Sequence, residues 1–342
     1  NDTARIFVVN ETTNTLETQV LVSGTGSYEI SGLVAGRKLV VARKSDGKSL
    51  AYGYISSVEI PYIVGDRGIF GGGYNGGVSN IVDYITISTT GNATDFGDLT
   101  LARYGLAVCS SSIRGVFGGG VTTNILDYIT ISTPGNAADF GDLTLSRRDL
   151  TACSSSTRGV WGGGYGVAPV NVIDYITIDT LGNAVAFGDL TQARHALAAC
   201  SNATRGIFGG GNSNVIDYIT IATTGNAADF GDMLTTVRDQ GACSNNIRGI
   251  FGGGGPSANN VISYITIATA GNAADFGDLI IASEGVVACS NATRGVFGGG
   301  NYSLNVIQYV SISTLGNAID FGDLTVGGYS ASACSDGHGG LS

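Results

Sequence analysis

From about residue 63 onward the chain repeats one pattern of apolar and polar positions six times, with a period of about 45 residues. Each unit holds an apolar run ending in Cys-Ser, an Arg-Gly run passing through an aromatic residue into three glycines, a run like D-Y-I-T-I, and a run like D-F-G-D-L-T. In the unit from Arg194 these read ARHALAACS, RGIFGGG, NVIDYITIAT and AADFGDM, with Asn, Ser, Thr and Gly between them. Short runs of β-formers punctuated in this way predict antiparallel hairpins, and four strands per unit predict one blade of a β-propeller. The apolar positions do not alternate cleanly: Ile216 and Tyr218 fall on one face, Val215 and Ile219 on the other. A blade covered on both faces by its neighbours requires that pattern, whereas a sheet with one wet face would alternate.

The glycine runs begin at Arg67, Arg114, Arg158, Arg205, Arg248 and Arg294, and the Cys runs end at Cys109, Cys153, Cys200, Cys243, Cys289 and Cys334. The array therefore starts with a glycine strand and stops with a Cys strand. The last Cys strand, around Tyr329 to Ser335, has no blade of its own unless it completes the first. That closure predicts pairing of Ala331–Cys334 with Gly68–Gly72, which removes the open edge of the ring.

The first sixty or so residues differ in kind. Lys occurs only there, at Lys38, Lys44 and Lys48, and the runs ARIFVVN, TLETQVLV, GSYEISGL, KLVVARK and LAYGYISSV alternate between turn residues. A small β-sandwich is the expectation.

The succession A-R-x-x-L-A-A-C-S, R-G-I-F-G-G-G, N-V-I-D-Y, D-F-G-D-L-T resembles a kelch repeat, over residues 67–342. It departs from kelch at Phe96, Phe140, Phe187, Phe230, Phe276 and Phe321, where kelch units carry Trp; Phe can fill the same wedge between blades. The run SGTGSYEISGLVAGRKLVVARKSDG is similar to carboxypeptidase-regulatory-like, transthyretin-like modules, which implies a spacer or docking unit. The expected fold is all-β: a six-bladed kelch-like β-propeller over residues 63–342, closed by its C-terminal strand and preceded by a small Ig-like β-sandwich over residues 1–62.

Charged residues are only 13% of the chain, so Thr, Ser and Asn must carry its solubility. The net charge of −10 belongs to the repeats, which hold 11 Arg against 21 acidic residues. Such a surface repels phosphate backbones, so neither nucleic acid nor an anionic membrane is an expected partner, and no run approaches the roughly 18 apolar residues of a membrane-spanning helix. One Cys per repeat at an equivalent place predicts six buried free thiols rather than disulfides. The chain begins at Asn1 rather than Met, so an upstream piece is expected to have been removed or left out.

Candidate chemistry is sparse. His195 and His338 are the only histidines, which argues against a multi-His metal centre and makes a Ser-His-Asp triad depend on one of two residues. His338 reads as a stand-in for the repeat Arg in a terminal H-G-G echo. His195 occupies a position held by Tyr104, Arg148, Asp239 and Gly285 elsewhere, a variability that suits an exposed site. The D-F-G-D runs read as caps of tight turns rather than calcium sites, since Ala186 replaces the first Asp in one unit. The triple glycines lack the Lys and helix of a phosphate loop and suggest close packing near the axis. The Arg before each glycine strand is expected to pair across blades with Asp83, Asp127, Asp174 and Asp217, a series broken by Ser263 and Gln308. No catalytic residue, metal or cofactor is called for.

The loops after the glycine runs vary while the repeat cores do not, and all six should emerge on one face. Tyr74, Asn75, Tyr165, His195, Asn212, Asn259 and Tyr302 on that face are the candidate ligand-binding residues, with the tyrosines suited to stacking on sugar rings. Near-identical blades behind such a module resemble products of tailed bacteriophages. The resemblance implies a non-enzymatic tail- or fibre-associated virion protein, made in the host cytoplasm, serving host attachment or assembly. Its expected partners are other virion proteins and a host receptor or glycan, with a homo-oligomer open. A bacterial surface adhesin or lectin is the alternative, and a propeller hydrolase or lyase using His195 a third.

Overall fold

The computed structural model describes residues 3–10, 15–23, 38–44, 49–55, 65–121, 123–301 and 304–341, with side chains in the last three stretches. The chain divides into two compact units, Asn1–Tyr62 and Ile63–Ser342. In the first, β1 (Thr3–Asn10), β2 (Thr15–Ser23), β3 (Lys38–Lys44) and β4 (Ser49–Ile55) form one antiparallel sheet in the order β2-β1-β3-β4. The Gly-Ser-Tyr segment expected to supply a further strand lies outside the described residues.

The second unit is a six-bladed propeller of four-stranded antiparallel sheets. In blade 1, β5 (Arg67–Gly71), β6 (Ile81–Thr86) and β7 (Thr94–Asp98) follow one another outward; blade 2 repeats this with an inner strand β8 (Leu106–Ser110) before β9 (Arg114–Gly119), β10 (Ile125–Thr130) and β11 (Ala138–Asp142). The inner strand of blade 1 is the C-terminal strand Ser332–Ser335, which pairs with β5 from Ser332↔Gly71 to Ser335↔Gly68. Closure is as the strand count requires. After the last strand the chain forms a 3-10 turn at Gly339–Leu341.

Each repeated residue has a mechanical reason. The aromatic of every glycine strand lies over the first glycine of the run in the preceding blade: a Cβ on Gly71 would stand 2.6 Å from the Phe117 ring, and one on Gly118 2.7 Å from Trp161. The Cys thiol of each inner strand lies against the Arg-Gly glycine of the next blade, so a Cβ on Gly249 would meet Cys200 Sγ at 2.6 Å. All six cysteines are free and buried, and burial pushes the thiols of Cys153, Cys243 and Cys334 up to about 12. The D-F-G-D runs are outer strands rather than turn caps. Between the pairs Val82↔Gly97 and Asp83↔Asp95 one residue is extra, Phe96, and this bulge lets the ring turn inward. In blade 2 the equivalent Phe140 shares a buried cluster with Trp161, Ile176 and Ile178 of blade 3, so Phe does fill the wedge between blades. The exposed edge of each outer strand is covered by the Gly-Asn-Ala turn of the following blade, where Gly135 N–H donates to Phe96 O (2.7 Å) and Asn136 Oδ1 accepts from Asp98 N–H (3.1 Å).

The arginines divide their work differently from the expectation. Those opening the glycine strands stack on tyrosines, Arg67 over Tyr84 at 4.6 Å and Arg158 over Tyr175 at 4.4 Å, and reach a carbonyl of the next blade, Arg67 to Ile131 O at 2.8 Å. The aspartates pair instead with a second set in the blade-to-blade connections: Arg103–Asp127 (2.9 Å), Arg147–Asp174 (3.0 Å) and Arg194–Asp217 (2.6 Å), all buried. The glycine-strand arginines sit too near the opposite end of the blade to reach them. Burial pulls these three guanidinium groups below their ordinary value, and the paired aspartates push back up.

On the axis the inner strands are joined by a closed circle of serines. Ser154, Ser201, Ser244 and Ser290 hydroxyls each donate to the serine carbonyl of the preceding blade at 2.7–2.8 Å; Ser335 donates to Ser290 O, and Ser110 donates to Ser335 O at 2.7 Å. His338 does not echo the glycine strand. It enters the bore beside this circle, where Gly340 N–H donates to Nδ1 (3.0 Å), leaving Nε2 to carry the proton toward Ser110 O (3.2 Å). Burial pulls its value down to about 4, so the ring is neutral near pH 7. At about 1 kcal/mol per hydrogen bond against about 1.5–3 kcal/mol per fully buried aromatic, the wedges supply most of the cohesion and the serines fix the register.

Removing residues 327–342 strips blade 1 of its inner strand and opens the serine circle. Thermal denaturation should show a Tm at least about 10 °C lower than that of the full chain, taking about 2–4 °C per kcal/mol at this size. An unchanged Tm would mean that closure lies elsewhere.

Candidate functional site

The loops after the glycine runs and the connections between blades meet on one face. At the centre of that face six residues adopt left-handed backbone around the axis: Gly105, Asp149, Ala196, Asp239, Gly285 and Ser330, with φ between 53° and 72°. Their peptides are linked head to tail, Asp149 N–H to Gly105 O and Ala196 N–H to Asp149 O at 2.7 Å, Asp239 N–H to Ala196 O and Gly285 N–H to Asp239 O at 2.9 Å, and Gly105 N–H to Ser330 O at 2.8 Å. Non-glycine residues held at positive φ cost about 1–3 kcal/mol each and persist only where the surroundings impose them. Here a run of five peptide hydrogen bonds does so, open only between Gly285 and Ser330, and it braces the mouth. Below it lies an axial pit of about 110 Å³ walled by the inner strands, with His338 inserted at the far end.

The residue before each of these six completes the rim: Tyr104, Arg148, His195, Arg238, Glu284 and Tyr329. This register corrects the sequence alignment. His195 is equivalent to Arg238 and Glu284, not to Asp239 and Gly285, because the left-handed residue fixes the repeat phase. One half of the rim is aromatic. Tyr74 packs 5.6 Å from both Tyr104 and Tyr329 and exchanges backbone hydrogen bonds with Tyr329. The other half is charged. Arg148 contacts Asp149 (3.5 Å), and Arg238 lies between Asp239 (3.5 Å) and Glu284 (3.9 Å). Tyr165 sits there with the His195 ring against it at 5.3 Å and the Arg148 guanidinium above it at 5.2 Å.

Of the predicted residues, Tyr165 and His195 are thus brought together and Tyr74 joins the aromatic half. Asn75 is exposed beside Tyr74, its N–H donating to Gly77 O (3.0 Å). Asn212 is exposed in a tight turn at φ 60°. Asn259 braces its own loop, with Nδ2 donating to Gly254 O (2.8 Å) and Oδ1 accepting from Val261 N–H (3.1 Å). Tyr302 lies outside the described residues. Sequence reasoning placed Arg148 and Asp239 at the variable position of His195 without assigning them to the site, and missed Asp149, Arg238, Glu284 and Tyr329, whose one signal was variation two to three residues after an otherwise regular connection.

The two mouth aspartates are coupled. Asp239 is raised to about 6 by burial together with the charges of Asp149 and Glu284, against the pull of Arg238; burial also raises Asp149, against Arg148 and His195. A mouth with carboxyls and arginines beside tyrosine faces can donate and accept hydrogen bonds to a hydroxyl-rich ligand while stacking on its apolar side. Among the described residues no group of three or more His, Cys, Asp or Glu side chains gathers as a metal site.

Fold and face together define a closed six-bladed β-propeller with one differentiated surface. No protein-family model matches the chain, and comparison with curated proteins finds no match.

If the carboxyls are coupled as described, NMR titration of Asp239 should give a midpoint near 6. The substitution Asp149→Asn should lower that midpoint, because it removes a negative charge that favours the protonated form. A rise or no change would contradict the coupling.

Proposed function

We propose that this chain is a non-catalytic attachment protein whose loop face grips a partner surface. In the form that its sequence resemblance favours, it is a tail- or fibre-associated virion protein of a tailed bacteriophage, and the partner is a host-surface receptor or glycan. One observation carries the reading. The glycine, cysteine, serine and phenylalanine contacts between blades repeat almost residue for residue, while the rim positions, Tyr104, Arg148, His195, Arg238, Glu284 and Tyr329, carry four residue types over six blades. Exposed variation concentrated on one face of a rigid ring supports a surface that recognises an asymmetric ligand. The Tyr74, Tyr104 and Tyr329 group supports a saccharide as that ligand, since sugar rings stack on aromatic faces. The same group would serve a lectin or adhesin of a bacterial surface, which is the alternative. His195 is already engaged by Tyr165, which favours a binding role for it over a catalytic one.

Two measurements test this. Mass spectrometry of purified particles should find the chain as a stoichiometric component, and binding to isolated host surface glycan should fall by about 5- to 30-fold in Tyr74→Ala or Tyr329→Ala, for a stacking contribution of about 1–2 kcal/mol. Glycan binding by a chain missing from particles would favour the adhesin. Turnover of a saccharide abolished by His195→Ala would overturn the non-catalytic reading.

A further inference from the structure

Six blade interfaces contain one equivalent pair of positions, one in the connection and one on the third strand. The connection residue is fixed by its carbonyl, which faces the second glycine of the preceding run: Arg103 at Gly72, Arg147 at Gly119, Arg194 at Gly163, Val237 at Gly210, Ser283 at Gly253 and Gly328 at Gly299. The pairs across the interfaces are therefore Arg103–Asp127, Arg147–Asp174, Arg194–Asp217, Val237–Ser263, Ser283–Gln308 and Gly328–Asp83. Three are charged on both sides and two neutral on both sides. Only the seam between blades 6 and 1 keeps the acid and lacks the arginine.

Asp83 is buried at 5% exposure. It keeps the hydroxyl and amide partners of its counterparts, with Thr325 N–H at 3.0 Å and Thr325 Oγ1 at 2.7 Å, matching Thr191 on Asp217. No cation of the described residues reaches it. Where the arginine side chain would run, the structure has a cavity of about 40 Å³ lined by Asp83, Tyr74, Asn75, Gly327 and Gly328. That is room for several water molecules at about 10–15 Å³ each. A carboxylate buried without a cation is costly, and three copies of the same site in this molecule solve the problem with a guanidinium.

We propose that the seam between blades 6 and 1 is a receptor for a guanidinium group, filled by an arginine side chain of a partner protein entering from the loop face between Asn75 and Gly327. Arg103, Arg147 and Arg194 show the bound state: one Nη on the aspartate and the alkyl stem packed between blades. The occupant is a guanidinium rather than an ammonium because the equivalent place in three other interfaces already holds this group. Tyr74 and its neighbours Tyr104 and Tyr329 provide aromatic surface at the entrance, which favours a cation in transit. The proposal rests on the loop-face reading for the partner's identity, but the site's geometry is independent of it.

The test uses the full chain and N-acetyl-arginine amide as probe, with its neutral isostere N-acetyl-citrulline amide and the lysine analogue as controls, read by calorimetry and thermal shift at low salt. The arginine probe should raise Tm and bind at least about tenfold more tightly than the citrulline and lysine probes, the discrimination expected of a charge-assisted, geometry-matched pair. Asp83→Asn should abolish that preference. Gly328→Arg should raise Tm without ligand and eliminate probe binding, because the chain then fills its own site. Equal binding of arginine and citrulline, unaltered binding in either variant, or no binding to the parent chain would overturn the proposal. A chain that binds glycan through Tyr74 but ignores arginine would leave the attachment reading standing and remove this one.

Discussion

A propeller is only as stable as its closure, and here the register of closure is fixed by hydrogen bonds that run round the axis at both ends of the inner strands, while the wedges supply most of the cohesion. At one end the Ser110, Ser154, Ser201, Ser244, Ser290 and Ser335 hydroxyls each hold a neighbour's carbonyl. At the other, left-handed residues pass peptide hydrogen bonds from blade to blade. The serine circle is closed, so no bond of it can break without displacing two blades, whereas the peptide run is open between Gly285 and Ser330. The other repeated features follow from holding six sheets at that radius: the thiol against a glycine, the aromatic over a glycine, and the bulged Phe in the wedge.

Between blades the chain uses interchangeable solutions to one packing problem. A buried arginine with aspartate, Val237 with Ser263, and Ser283 with Gln308 occupy the same place, and Gln308 Oε1 accepts from Ile280 N–H (2.6 Å) much as the aspartates accept from threonine amides. Buried ion pairs are often no more stable than well-packed neutral replacements, whereas half a pair is strongly unfavourable. That asymmetry explains why charge is lost from both sides at once in two interfaces. It also sets the solitary Asp83 apart from the other five interfaces, and the guanidinium site proposed at that seam rests on this difference.

The ring was legible because its period is strong: six glycine runs, six Cys strands and an unmatched last strand determine blade number and closure. The first unit was less so: its described residues form one four-stranded sheet, and the Gly-Ser-Tyr run expected as a further strand of a sandwich lies outside them. Interactions between units of the repeat were not legible, since a linear pattern cannot say which of two arginines, Arg67 or Arg103, lies beside Asp127. The serine circle was hidden in a residue that read as the polar end of a strand. His338 resembled a repeat element only because glycines follow it. At the loop face, Tyr74, Tyr165 and His195 were found through variation in loops, but the rim charges were missed because the repeat phase is set by backbone conformation at Asp149 and Asp239, where the usual glycine marker is absent.

Rigidity and differentiation thus occupy different parts of one molecule. The bore, the wedges and the edge covers repeat, and the loop face with its acidic pit and tyrosine half carries what is unique. The central claim is that the C-terminal strand is a full member of the inner ring. Native-state hydrogen exchange tests it directly. The amides of Ser332–Ser335 and of β5 should exchange as slowly as those of the other inner strands, and through the same global opening. Exchange at Ser332–Ser335 that is fast and independent of global unfolding would contradict the account.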